Sequence, residues 1–299
     1  MMEGIIPVNK PRGMTSHDVV FKLRKIFKTK KIGHTGTLDP EVDGVLPICV
    51  GKATRVADYV MNSGKTYIAE VTLGVQTTTE DAHGEVVQKV PVLKDAFNEA
   101  IIDEVLLQLT GVIDQTPPMY SAVKVNGRKL YEYARNGETI ERPSRKVEIY
   151  EIRRLSDVTF VDEVCKFKIE VSCGKGTYIR TLATQIADAL GTIGHMSDLT
   201  RIASGGFKVE ESYTLETLQN TEYEALAELL LPIEHGLQHL PRVEVDENIA
   251  QKILWGQKLK QMSPKIEEET AMFYNDKVLA IYMPDEKHPG LIKARKVFN

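Results

Sequence analysis

Lys31-Ile32-Gly33-His34-Thr35-Gly36-Thr37-Leu38-Asp39-Pro40 runs directly into Glu41-Val42-Asp43-Gly44-Val45-Leu46-Pro47. Two glycines permit a tight turn, and Pro40 drives Asp39 out of helical backbone. A carboxylate presented on a stiff loop suits chemistry better than packing. Asp-Pro-x-x-Asp-Gly is also the composition of an ordinary turn, and on these residues alone that reading stays open. A calcium loop would need alternating ligands and a closing glutamate, which are missing. A phosphate-binding P-loop would need Gly-Lys-Ser/Thr after the glycines, also missing.

Outward from this loop, periodicity supplies the neighbouring elements. Val19, Val20, Leu23, Ile26 and Phe27 recur at helical spacing behind Ser16, which reads as an N-cap, so a helix is expected to about Phe27. Thr54 to Met61 reads as a second helix with Gly64 as its stop. Lys65 to Leu73 alternates, with Tyr67, Ala69, Val71 and Leu73 on one face of a strand. A helix is expected over 95–109. Paired prolines exclude regular structure around Gln115-Thr116-Pro117-Pro118-Met119-Tyr120-Ser121-Ala122. The basic, weakly periodic tract that follows, about 117–145, reads as an insertion projecting from the core. Val147 to Arg153 and Val164 to Cys173 read as strands. Gly176-Thr177-Tyr178 opens a helix that Gly191 stops, and Glu222 to Leu231 reads as an acidic helical stretch. From about 240 onward, short apolar segments such as Val278-Leu279-Ala280-Ile281-Tyr282 suggest a separate unit of some sixty residues.

Length and composition set bounds. A chain of 299 residues suits one large domain plus a small one. Hydrophobic content of 42% and charged content of 27% are those of a soluble globular protein. No apolar run approaches the ~20 residues of a membrane span. The start, Met1-Met2-Glu3-Gly4-Ile5-Ile6-Pro7, lacks the basic region and apolar core of a signal peptide. Cys49, Cys165 and Cys173 sit in apolar or alternating contexts, as reduced thiols do, and a cytoplasmic location is expected. The net charge of -4 does not suggest a nucleic-acid partner, but its distribution does. Arg12, Lys22, Arg24, Lys25, Lys28, Lys30 and Lys31 crowd the N-terminal segment. A second basic tract carries Lys124, Arg128, Lys129, Arg135, Arg142, Arg145 and Lys146. Two such runs bracketing a candidate catalytic loop favour a polyanionic substrate.

The loop resembles the catalytic loop of the TruB family of tRNA pseudouridine synthases, and the resemblance extends along most of the chain. Asn9-Lys10-Pro11-Arg12-Gly13-Met14-Thr15-Ser16 is similar to the family's Lys-Pro-x-Gly-x-Thr-Ser element, and Lys65-Thr66-Tyr67 to its tyrosine motif. Gln115 to Lys124, with Tyr131 and Ala134-Arg135, is similar to its insertion. Lys175-Gly176-Thr177-Tyr178-Ile179-Arg180-Thr181-Leu182 and Leu199-Thr200-Arg201 match its later motifs in order. Thr78 stands where an acidic residue is common, and Asp43 where a small one is.

The resemblance implies conversion of uridine 55 in the T-arm loop of tRNA to pseudouridine, without cofactor or metal. Asp39 is implied as the catalytic carboxylate, Arg180 as its partner, and Tyr67 as the residue against the base and one candidate for the proton acceptor, whose identity stays open. Whether Asp39 attacks base or sugar stays open. His34 is implied to fill the vacancy left by a flipped base. Tyr178 and Leu199 are implied pocket walls, Asp81 a supporting carboxylate, and Lys10, Lys124, Arg128 and Lys129 further substrate contacts. Zinc at His34, His83 and His195 is disfavoured, since none has a partner at ligand spacing. The fold implied is α+β: a mixed sheet with flanking helices and the basic insertion over 1–238, then a β-rich, PUA-like RNA-binding domain over 239–299. The expected partner is tRNA alone, for a monomeric protein with no membrane attachment. Two rivals remain: a guide-RNA-dependent relative, disfavoured by the absence of Lys-rich tails, and a non-catalytic RNA-binding protein, which would need neither Asp39 nor Arg180.

Overall fold

The computed structural model describes residues 2–94 and 96–298. Its main feature is a mixed sheet. Along its principal path the strands lie in the order Tyr213–Thr214, Gly4–Lys10, Asp43–Val50, Gly194–Ser204, Lys65–Leu73, Val164–Cys173, Arg145–Arg154 and Gly111–Gln115. Gly4–Lys10 runs parallel to Tyr213–Thr214, and Asp43–Val50 parallel to Gly194–Ser204; the other neighbours on this path are antiparallel. The architecture is α+β, as expected.

Side-chain alternation distributes the apolar residues between separate cores. Ile6, Val8, Leu46 and Ile48 pack against Val19, Val20 and Leu23 of the helix Ser16–Ile26 and against its C-cap, Phe27. Ile5, Val45 and Cys49, one residue out of phase, enter a different core. These two strands are therefore buried on both faces. On Lys65–Leu73 and Val164–Cys173, Ala69, Val71, Leu73, Phe167 and Ile169 pack under Ile179, Leu182, Ala183 and Ile186 of the helix Ile179–Ala189.

A second sheet of five strands is built from residues 242–297, with the helix Glu247–Leu254 against it. Its Val243, Met272, Ala280 and Tyr282 form a core of their own. Its Ala271, Phe273, Val278 and Ile281 belong to the core of Ile5, Val56, Val60, Phe207 and Leu237. The C-terminal sheet is thus fused to the first through shared apolar packing.

Local expectations needed adjustment where capping or tertiary contact prevailed. Thr15, not Ser16, caps the first helix: its side chain accepts from Asp18 N while Asp18 reciprocates, which frees Ser16 to turn inward. The expected helix from Thr54 starts as a 3₁₀ segment, Gly51–Val56, and becomes α-helical only over Ala57–Asn62, ending at Ser63 rather than Gly64. The helix expected over 95–109 spans Glu99–Gln108, capped by Asn98; Asp95 lies outside the described residues. Glu222 to Leu231 holds only the 3₁₀ segment Ala225–Leu229. The insertion contains a short hairpin, Lys124–Val125 with Arg128–Lys129, and the helix Leu130–Arg135. The three cysteines are buried and free.

Candidate active site

Asp39 lies where three elements brace one loop. Ser16 Oγ accepts from Leu38 N at 2.9 Å and donates to Leu38 O at 3.2 Å. Gly13 N donates to Pro40 O at 3.0 Å. The Lys10 ammonium is fully buried and donates to the carbonyls of Met14, Pro11 and Pro40 at 2.6, 2.8 and 3.0 Å. Three charge-assisted bonds take up all three ammonium protons. Lys10 therefore holds the loop and has no donor left for substrate, contrary to the expectation from its motif.

Across the loop, Gly44 sits at φ +114, where a Cβ would come within 2.2 Å of Arg201 O, so only glycine lets the strands Asp43–Val50 and Gly194–Ser204 approach this closely. Arg201 is fully buried; its Nε donates to Val45 O at 2.8 Å and its Nη2 to Gly36 O at 3.2 Å. It fixes the far side of the loop that carries Asp39 and pairs across the sheet with Tyr67.

The loop opens onto a cavity of about 850 Å³. Asp39, Tyr67, Asp81, Tyr178, Arg180 and Leu199 all line it, although they are drawn from five separated segments. Arg180, on the first turn of its helix, has a side chain only 6% exposed. Its Nε lies 3.2 Å from Asp39 Oδ2, its Nη2 donates to Tyr120 O at 2.9 Å and its Nη1 to Thr79 O at 3.2 Å. Asp81 Oδ2 stands 3.8 Å from Nη1. A buried cation at a helix N-terminus is electrostatically unfavourable without such partners. Asp39 itself is 45% exposed toward the cavity, so the guanidinium orients it without enclosing it. Asp81 accepts from Thr79 Oγ1 at 2.6 Å and His83 N at 2.9 Å, which makes it a brace behind Arg180.

Burial raises the Tyr67 phenol above its ordinary pKa, with the nearby Arg201 charge opposing. It pushes Lys65, another lining residue, down to about 8. Tyr178 caps its helix, and Gln115 brackets its backbone, accepting from its N at 3.0 Å and donating to its O at 3.2 Å.

The remaining expected residues are elsewhere. His34 stands at the end of the strand Ile32–His34, edge-on to His17 with ring centres 5.4 Å apart, and does not line the cavity. Burial holds its imidazole down to about 4. Lys124, Arg128 and Lys129 lie on the insertion hairpin, outside the cavity; Arg128 forms a two-pronged pair with Glu138 at 3.0 Å on each prong. The insertion reaches the cavity through Tyr120, Ser121, Ala122, Tyr131, Arg135 and Arg145 instead. Arg201 and Lys65 were not anticipated as lining residues. The signal for Lys65 was present: it lies two residues before Tyr67 on an expected strand, hence on the same face. Among the described residues no cluster suited to a metal ion occurs.

Comparison with known proteins converges on one family. Residues 24–179 match the TruB family pseudouridylate synthase N-terminal domain, and residues 180–238 the tRNA pseudouridylate synthase B C-terminal domain. The chain is 58% identical to the tRNA pseudouridine synthase B of Staphylococcus haemolyticus and 55% identical to that of Staphylococcus aureus strain MSSA476, with both chains covered completely in each case. Among solved structures, a Cbf5-Nop10-Gar1 complex is 30% identical with a TM-score of 0.74, over 99% of this chain and 85% of that one. An H/ACA RNP bound to a substrate RNA containing 2'-deoxyuridine is 27% identical with a TM-score of 0.72, over 99% and 85%.

Proposed function

We propose that this chain, which belongs to the TruB family of pseudouridylate synthases, isomerises uridine 55 in the T-arm loop of tRNA. That it is a tRNA pseudouridine synthase follows from its family and its relatives. The choice of uridine, the order of steps and the residue roles are our reading. Its main support is the pair of Asp39 and Arg180, drawn together over 3.2 Å from distant segments at a cavity that Tyr67 also lines.

The reaction breaks the N-glycosidic bond, turns the uracil and joins its C5 to the sugar, with loss of the C5 proton. Asp39, oriented by Arg180, supplies the carboxylate. Tyr67 packs against the base; burial raises its pKa, so the phenol must give up its own proton before its oxygen can take the one that leaves C5. Tyr178 and Leu199 wall the detached base, and Arg201 fixes the loop that carries Asp39. A uridine in folded RNA reaches this site by leaving its stack, at a cost of a few kcal/mol. His34 is half-buried here, and filling the vacated space requires it to come outward when RNA docks. Lys124, Arg128 and Lys129 lie on the face through which the insertion meets phosphates.

We assign residues 1–238 to catalysis and 239–299 to RNA docking, in the manner of a PUA module. The end of the family match at residue 238 supports this division. The enzyme is expected to work as a cytoplasmic monomer without guide RNA or protein partner. Purified protein should convert one uridine in unmodified tRNA, and Asp39→Asn should lower the rate by several orders of magnitude while tRNA affinity stays within about tenfold, since phosphate contacts dominate binding. Near-normal turnover by Asp39→Asn would overturn the mechanism; a requirement for added guide RNA would overturn the stand-alone assignment.

A further inference from the structure

Three depressions on this surface form a series. The active-site cavity is lined by Arg12. Arg12 also lines a second depression, together with Lys22 and Gln219. Lys22 and Gln219 in turn line a third, with Lys25, Lys28 and Tyr223. Shared walls make the three neighbours in a row, leading away from Asp39 along the helix Ser16–Ile26.

The chemistry of the far end is distinctive. Lys22 and Lys25 are three residues apart, on one side of the helix, and Lys28 follows just past its end. All three are exposed, and none forms an ion pair among the described residues. By contrast, the insertion's Arg128 and the groove's Arg12 already hold carboxylates, Arg12 at 2.6 Å from Asp198 and 3.3 Å from Asp43. Two of the lysines sit over aromatic rings: Lys28 Nζ lies 4.3 Å from the Tyr223 ring centre, and Lys25 Nζ 4.7 Å from that of Phe21, which is 59% exposed. Carboxylates stand along the groove too: Asp43 and Glu216 line the middle stretch, Glu222 and Glu224 flank Tyr223, and Asp18 acts electrostatically on Lys22, yet none of them pairs with the three lysines. Unpaired cations beside accessible rings are the pattern that grips a nucleic-acid backbone.

We propose that this groove is a second RNA-binding track, which holds the sugar–phosphate backbone of the tRNA beyond the stem-loop that carries the reacting uridine. The occupant is RNA and not an acidic protein because the groove is continuous with the cavity that RNA must enter. The inference rests on tRNA being the substrate, but not on which uridine reacts or how.

The test compares intact unmodified tRNA with an isolated T-arm stem-loop, using wild type and the variant Lys22→Gln/Lys25→Gln/Lys28→Gln. These residues touch neither Asp39 nor the cavity. The variant should bind tRNA at least tenfold more weakly, with a salt slope lower by about two to three, since each phosphate neutralised contributes about 0.7–0.9. Its affinity for the stem-loop and its rate at saturating RNA should be unchanged. Unchanged tRNA affinity would overturn the proposal and leave the patch to some other partner. Equal losses for tRNA and stem-loop would overturn it too, by placing the lysines on the reacting arm. The single variant Lys28→Gln provides a smaller graded loss if the triple variant melts early. Because the readout is binding, it stands whether or not Asp39→Asn abolishes turnover.

Discussion

Replacing Arg180 by lysine keeps one positive charge in place and removes the fork, which makes it a direct test of what the buried guanidinium does. Its three nitrogens serve three directions: Asp39 at 3.2 Å, Tyr120 O at 2.9 Å and Thr79 O at 3.2 Å. A single ammonium on a shorter, unforked side chain cannot span all of them. Two lost contacts, each charge-assisted and worth about 1.5–3 kcal/mol, give roughly 3–6 kcal/mol. Because Asp39 is 45% exposed, its share falls at the lower end. If about 2–4 kcal/mol of the total appears as misplacement of the carboxylate in the transition state, kcat/KM falls about 30- to 1,000-fold. The assay is single-turnover release of tritium from uridine labelled at C5, which leaves only when the new carbon–carbon bond forms. Melting curves recorded alongside separate loss of fold from loss of rate. A folded Arg180→Lys enzyme within threefold of the wild-type rate would refute the argument that orientation of Asp39 depends on the fork.

Three other outcomes follow from the same geometry. Lys124→Ala/Arg128→Ala/Lys129→Ala should weaken tRNA binding and flatten its salt dependence; an unaltered slope in filter binding would remove this hairpin from the RNA interface. Truncation after Gln238 should raise KM more than it lowers the saturating rate of the folded fraction, and should also lower Tm by about 10 °C or more, because it uncovers Ile5, Val60 and Phe207; a truncated protein as stable as the full chain would contradict the shared core. His34 titrates at about 4 when folded against 6.5 ordinarily, so between those values the unfolded chain takes up a proton that the folded one refuses. Stability from this source is complete above pH 6.5 and is lost as pH falls toward 4. The drop in urea midpoint from pH 7 to pH 5 should be smaller in His34→Gln than in wild type, and equal drops would refute the burial argument.

The strands Lys65–Leu73 and Val164–Cys173 were legible because apolar and polar residues alternate along most of their length, with Tyr67, Ala69, Val71 and Leu73 on one face of the first and Phe167, Ile169, Val171 and Cys173 on one face of the second. Gly194–Ser204, at the middle of the sheet, was not: its register shifts between Met196 and Asp198 and again between Arg201 and Ala203, so its alternation is interrupted twice. Gly4–Lys10 and Asp43–Val50 were hidden for the opposite reason. With apolar residues entering a core on both faces they show no alternation at all. At the site, Asp39, Arg180, Tyr67, Tyr178, Leu199 and Asp81 could be named from motifs, and the fold gathers them around one cavity. Lys10 was misassigned because a sequence shows a charge but not its burial, and three carbonyls of its own chain consume it.

The strand Gly4–Lys10 has one face closed at once by the helix Ser16–Ile26, yet its edge and its other face wait for residues made much later. It pairs in parallel with Tyr213–Thr214, and Ile5 shares a core with Phe273, Val278 and Ile281. At roughly 5–20 residues per second, on the order of 15–60 s of synthesis separates Ile5 from its last neighbours. During that interval the face that carries Ile5 stays unfinished. The nascent chain therefore has a built-in waiting time, and its yield in the cell should depend on holdase chaperones and growth temperature more than the stability of the finished enzyme would suggest.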